Sequence, residues 1–178
     1  TVDLPKNHIW QGGCEHTSKG LVFAANIPTE EVFCMPYKYG VNGVLSSTMP
    51  LEYNGNIIDN FKFYFENGKI VSFEAEKGYA TLENLLSSDE ASRYLGEVAI
   101  VPVSSPIYKT GLIFYNTLYD ENASCHFALG SAYPNCIKNG ENMTKEEREK
   151  AGVNDSIIHV DFMVGNDKLS IIGETESG

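Results

Sequence analysis

Two histidines and several scattered carboxylates are the residues of this chain best suited to chemistry. His159 and Asp161 sit in Ser156-Ile-Ile-His-Val-Asp-Phe-Met163, an otherwise apolar run. In an extended strand, residues i and i+2 point the same way, about 6.5 Å apart. Both side chains then leave one face while Ile158, Val160 and Phe162 pack the other. A carboxylate in such a place needs a partner, because burying a bare charge is costly. A metal ion is one such partner; an arginine, a lysine or a hydrogen-bond network is another.

The segment from Tyr115 to Tyr133 is the second source of chemistry. It carries acids, amides, His126 and a terminal tyrosine. Its charges are too few for a surface loop and its polar groups too many for a core. Two imidazoles with several carboxylates at positions that read as buried point to a metal site, and to hydrolysis as its use. Taken singly these residues say less. His126, between Cys125 and Phe127, reads alone as a satisfied core residue. Cys125 and His126 do not read as a nucleophile pair, since sequence neighbours seldom aim at each other. Glu97 opens the apolar run Val98 to Val101, and a glutamate at a strand end is ordinarily solvated. Glu30 and Glu31 face opposite ways in an extended chain, so only one can point into a given site. Their other reading is a turn, or a helix start capped by Thr29. Asp120-Glu121-Asn122 resembles a helix N-terminus, where the dipole favours acids. His8 and His16 lie among turn residues and are given no role.

These residues need a scaffold, and the sequence indicates one. Phe61, Phe63 and Phe65 alternate with Lys62, Tyr64 and Glu66; Asn67-Gly68 and Lys69 to Phe73 follow. Asn-Gly between alternating runs is a strong hairpin signal, because both residues tolerate positive φ. Strands are also expected at 20–26 (closed by Pro28), 96–103, 111–115, 156–164 and 168–172, and His8 to Gly13 reads as a strand end and turn. Residues 79–95 read as two short helices broken near Ser87-Ser88. Thr144 and Glu147 form a capping box for a helix to Ala151, stopped by Gly152. The fold class is α+β: mostly antiparallel sheet, or a partly closed barrel, with a few short helices.

Composition sets the limits. The chain has 178 residues, enough for one domain with a substantial core, and a net charge of −11. No basic run exists to neutralise phosphates, so nucleic-acid binding is disfavoured. The apolar runs are too short to span a bilayer, and no signal segment opens the chain. Four cysteines, at 14, 34, 125 and 136, lack C-x-x-C spacing and read as free cytosolic thiols, which places the protein in the cytoplasm. A start at Thr1, entering structure almost at once, is expected of an excised domain.

Four blocks, in order, carry a resemblance. They are Asn26-Ile-Pro-Thr-Glu-Glu-Val-Phe33, Leu95-Gly-Glu-Val-Ala-Ile-Val-Pro102, the stretch from Phe114 to Tyr133, and Asn154-Asp-Ser-Ile-Ile-His-Val-Asp-Phe-Met163. Together they resemble the thermophilic-type metalloaminopeptidases, the group that includes aminopeptidases T and S. The resemblance implies that residues 1–178 are a single domain, the C-terminal catalytic domain of a longer two-domain enzyme. It implies two divalent ions (zinc, cobalt or manganese) held by Glu31, Glu97, His126, His159 and Asp161, with Tyr133 and Glu97 catalytic. A bridging hydroxide would remove N-terminal residues from peptide substrates, and the full-length protein would be a homodimer. The pattern departs at Tyr37, where the family has a histidine, and at both ends of the chain. The alternative is a catalytically incomplete metal-binding or dimerisation domain.

Overall fold

The computed structural model describes residues 1–24 and 30–175. Residues 25–29, including the end of the expected strand at 20–26, Pro28 and the proposed cap Thr29, lie outside the described residues. The described strands are β1 (Gln11–Gly12), β2 (Glu15–His16), β3 (Val22–Phe23), β4 (Val32–Cys34), β5 (Gly43–Ser46), β6 (Leu51–Tyr53), β7 (Asn56–Glu66), β8 (Lys69–Lys77), β9 (Leu95–Ile100), β10 (His126–Gly130) and β11 (His159–Met163). The α-helices are α1 (Tyr79–Leu85), α2 (Pro106–Thr110), α3 (Thr117–Asp120) and α4 (Lys145–Lys150), with short 3-10 turns between them. This is an α+β fold. Among the described residues the sheets are open and antiparallel, and none closes into a barrel.

One sheet has the order β1-β4-β9-β10-β11; β2 and β3 form a small ribbon beside it. A second sheet is built on the long β7, paired with β5, β6 and β8. The β7–β8 hairpin turns at Asn67 and Gly68, with φ of 48° and 83°. A Cβ on Gly68 would collide with the Lys38 carbonyl, so this turn requires both its left-handed backbone and its missing side chain. The main core lies between the two sheets. Phe61, Phe63, Phe65, Ile58 and Ile70 of the second sheet meet Leu95, Leu129, Val160 and Phe162 of the first, with Leu82, Leu85 and Leu86 at one end. A smaller cluster, including Cys34, Met35, Cys136 and Val153, supports the far end of β4.

The helix at 144–151 forms as its capping box indicates: the Thr144 side chain accepts from Glu147 N–H, and Glu147 accepts from Thr144 N–H. Other expectations shrink or fail. Of the strand expected at 20–26, the described residues form Val22–Phe23, and those at 96–103 and 156–164 become Leu95–Ile100 and His159–Met163. The helical reading of 79–95 stops at Arg93, after a break as expected, and Leu95 already belongs to β9. Residues 111–115 and 168–172 are not strands. Gly111 and Tyr115 take left-handed φ of 63° and 55°, which interrupts the extended backbone at both ends of the run. Its residues Leu112, Ile113, Phe114 and Tyr115 are exposed instead. Tyr37 packs against Gly152 and Tyr39, and does not line the cavity described below. No helix among the described residues is long and apolar enough to cross a membrane.

Candidate metal centre

The site forms on the face of β9, β10 and β11 turned away from the main core. Ala128 is the midpoint: it is opposed by Glu97 on one side and Asp161 on the other. Its single methyl leaves room above the sheet for the longer side chains of both neighbours. Gly130, two residues on, pairs with His159 and adds no side chain. His126, two residues back along β10, points to the same face.

Glu97 reaches this face through a β-bulge. Leu129 pairs with Leu95 but Ala128 pairs with Glu97, which leaves Gly96 as an extra residue in β9. Leu95 can then face the core while Glu97 faces the site. Bulges commonly re-aim side chains in this way. A Cβ at Gly96 would collide with the carbonyls of Gly130 and Ser131, so the bulge is also the point of closest backbone approach.

All five proposed ligands converge here. Glu31, just before β4, is buried, whereas Glu30 is exposed. His126 Nε2 lies 3.4 Å from Glu97 Oε1 and 3.7 Å from Glu31 Oε1. His159 Nε2 lies 3.5 Å from Asp161 Oδ1 and 3.7 Å from Glu97 Oε2. Two groups with metal-ligand spacing result, Glu31–Glu97–His126 and Glu97–His159–Asp161, each with its ligand atoms within 4.8 Å of one another. Glu97 belongs to both and offers a different oxygen to each histidine.

The two rings are held alike. His126 Nδ1 lies 2.9 Å from the Ser124 carbonyl, and His159 Nδ1 2.7 Å from the Ser131 carbonyl. A carbonyl only accepts, so each Nδ1 carries a proton and donates it. In the neutral ring Nε2 then presents its lone pair to the carboxylates. His126 is 1% exposed, and its Nε2 makes no hydrogen bond among the described residues. A buried nitrogen aimed at two carboxylates, with its ring oriented from behind by a carbonyl, is the arrangement expected of a metal ligand. No lysine or arginine is among the described residues lining the cavity, so the ammonium or guanidinium partner that the sequence left open is not found there. The donor set of imidazoles and carboxylates fits zinc, cobalt or manganese.

Glu121 is the site residue that sequence reasoning missed. It follows α3 and lines the same cavity. Burial first, then the charge of Asp161, raise its carboxyl pKa to about 8, and it hydrogen-bonds Asp161. Its neighbour Asp120 ends α3 and also stands at the N-cap of the 3-10 turn Glu121–Ala123, a helix start as the sequence suggested; its carboxylate accepts from the N–H groups of Phe114 and Asn116. The one available signal was the unusual mixture of polar and apolar residues around it.

Tyr133 borders the cavity, its ring centroid 4.8 Å from that of His159 and 5.9 Å from that of Phe33. Burial and then the charges of Glu97 and Asp161 push its pKa up to about 12, so the phenol keeps its proton. The cavity has a volume of about 400 Å³; Phe33, Leu118 and Ala24 form its apolar wall.

Charge crowding sets how the cluster binds protons. Burial lowers the pKa of both histidines, but the carboxylates outweigh it, Glu97 foremost for His126 and Asp161 for His159, and raise them from 6.5 to about 10 and about 9. Burial and the nearby carboxylates raise Glu31 to about 7, against the lowering pull of His126. Burial opposes ionisation of Asp161, yet its bond to His159 holds its pKa below the usual range. The sign follows. Stability from the raised histidines is complete below about pH 6.5 and is lost as pH rises through about 9 to 10. A cation must displace those same protons, so its affinity runs the other way. Zinc affinity, measured by competition titration, is expected to rise steadily from about pH 6 to about pH 8 with proton release on binding. A flat profile would contradict this reading.

Comparison with known proteins places the chain. The profile of the thermophilic metalloprotease (M29) family matches residues 1–178. Aminopeptidase 2 of Geobacillus stearothermophilus is 55% identical over 178 residues, covering 100% of this chain and 43% of that protein. Aminopeptidase AmpS of Bacillus subtilis (strain 168) is 54% identical with the same coverage. The solved structure of wild-type AmpT from Thermus thermophilus superposes with a TM-score of 0.86 at 44% identity, covering 93% of this chain and 41% of that one. The chain thus spans less than half the length of these relatives. Matched along its whole length, it belongs to the thermophilic metalloprotease (M29) family.

Proposed function

We propose that residues 1–178 form the metal-binding catalytic domain of a longer aminopeptidase, which removes N-terminal residues from peptides. Two divalent ions (zinc, cobalt or manganese) would bind, one to Glu31, Glu97 and His126 and the other to Glu97, His159 and Asp161. When bound, such a pair supplies a bridging hydroxide as nucleophile and polarises the scissile carbonyl. The observation that carries this reading is Glu97, whose two carboxylate oxygens face two different imidazoles.

The side chains have separate tasks. The neutral phenol of Tyr133 donates a hydrogen bond to the oxygen on which charge develops. With Glu97 shared between the two groups, Glu121, which lines the cavity and hydrogen-bonds Asp161, is the carboxyl placed to carry a proton to the leaving amine. Phe33 and Leu118 give the substrate side chain an apolar surface. We infer a homodimer for the full-length protein from the family resemblance; the exposed run Leu112 to Tyr115 supplies apolar surface for it. A cytoplasmic location rests on reading the four free thiols as reduced.

Metal removal tests the proposal. The purified protein is expected to bind two ions per chain and to release the N-terminal residue of a peptide with a free amine. A chelator should abolish hydrolysis, and added zinc or cobalt should restore it. Hydrolysis unaffected by chelation would refute the metal mechanism. Two ions bound without hydrolysis would favour the metal-binding or dimerisation domain that does not turn over.

A further inference from the structure

The carbonyl that orients His159 is itself held in place. Ser131 lies just beyond β10, where the chain leaves the sheet and runs to Tyr133. Its N–H donates to the Ile158 carbonyl at 2.7 Å, and its carbonyl accepts from His159 Nδ1 at 2.7 Å. On either side of Ser131 a contact comes from Asn154, while Gly130 N–H also donates to the Tyr94 carbonyl at 2.8 Å. The Asn154 Nδ2 donates to the Gly130 carbonyl at 2.7 Å, and its backbone carbonyl accepts from Ala132 N–H at 2.9 Å. The second Nδ2 hydrogen donates to the Ala91 carbonyl at 2.9 Å, which ties the arrangement to the 3-10 turn before β9.

Asn154 is 1% exposed, and its Oδ1 has no hydrogen-bond partner among the described residues. The carboxamide therefore acts through its two N–H donors, and a residue without both cannot replace it. Next along the chain, Asp89 accepts from Ser156 Oγ and from Ile157 N–H, so the segment leading into β11 is fixed to the same 3-10 turn. Two neighbouring links, Asn154 and Asp89, thus hold that segment. Only Asn154 also reaches the backbone on both sides of Ser131.

We propose that Asn154 is a positioning residue for the metal group Glu97–His159–Asp161. It sets the direction of the Ser131 carbonyl, and through it the ring of His159. This rests on the metal reading given above, and its test separates the two. Cobalt(II) titration of the wild-type chain, followed by its visible absorption, is expected to show two ions bound. In Asn154→Ala, one ion should bind up to about 10-fold more weakly, the low end of the range for loss of a ligand's outer partner, because the Ser131 carbonyl itself remains. The ion held by Glu31, Glu97 and His126 should keep its affinity. A role confined to stability would lower the melting temperature and leave both affinities unchanged, and that result overturns the proposal, as does equal weakening of both ions. Should Asn154→Ala fail to fold, Asn154→Ser, which keeps one donor, carries the same outcomes. A wild-type chain that binds no cobalt overturns this proposal and the metal reading together.

Discussion

Glu97→Gln is expected to eliminate uptake of both ions and reduce peptide hydrolysis to the level of the chelated protein. The substitution keeps the shape of the side chain and removes its charge. Because Glu97 belongs to both ligand groups, neither group is complete without it. The loss of affinity should exceed the roughly 10–100-fold typical of an outer-shell residue. His159→Ala and Asp161→Ala touch only one group and should leave one ion bound, with hydrolysis still lost. The fold provides the control. Glu97 crowds Glu31, Asp161 and Glu121, and removing one like charge relieves repulsion. Against that gain it removes the carboxylate that faces both histidines, so a single cooperative melting transition of the metal-free variant, and not its midpoint, is the control for folding. Isothermal titration with zinc gives the stoichiometry, and two ions bound to Glu97→Gln with parental affinity would sink the shared-ligand assignment.

Phe162→Ala carries the largest expected cost in stability. Phe162 is 1% exposed, and its ring lies 5.1 Å from Phe63, 5.8 Å from Phe61 and 6.3 Å from Phe127, measured between centroids. Truncating a buried phenylalanine costs about 3–5 kcal/mol, through lost transfer energy and the cavity left behind. Here the cavity would open between the two sheets, on the reverse of the strand that carries His159 and Asp161. Urea unfolding should show the midpoint falling by an amount matching this range; a cost below about 1 kcal/mol would mean that the sheets are joined elsewhere. Zinc should recover part of the loss, since an ion that binds only the folded chain stabilises it by mass action.

Elements governed by local rules could be read from the sequence. The β7–β8 hairpin follows from alternating phenylalanines and Asn67-Gly68, and α4 from Thr144 and Glu147. The pairing of His159 with Asp161 on one face follows from the two-residue period of a strand. Where tertiary geometry decides, the sequence says less. Gly96 is the one local hint of a bulge, and it does not say which way Glu97 turns, so a glutamate expected to be solvated is instead buried at the centre of the site. Glu121 was hidden because an acid beside a helix end already has an ordinary explanation. The run 111–115 has strand composition, but its backbone turns left-handed at both ends and no described strand pairs with it. That His126 meets Glu31 depends on β4 and β10 both pairing with β9, a long-range arrangement that periodicity alone does not specify.

Both imidazoles lean on main-chain oxygen, at Ser124 and Ser131, with no acidic side chain behind them. A peptide oxygen neither titrates nor disappears when a codon changes. Acid would therefore release bound ions from the cluster without disturbing what aims the rings, and restored alkalinity would find the grip already formed. For the same reason no single replacement at 124 or 131 deletes the anchor. Only a shift of the backbone itself can turn these rings away.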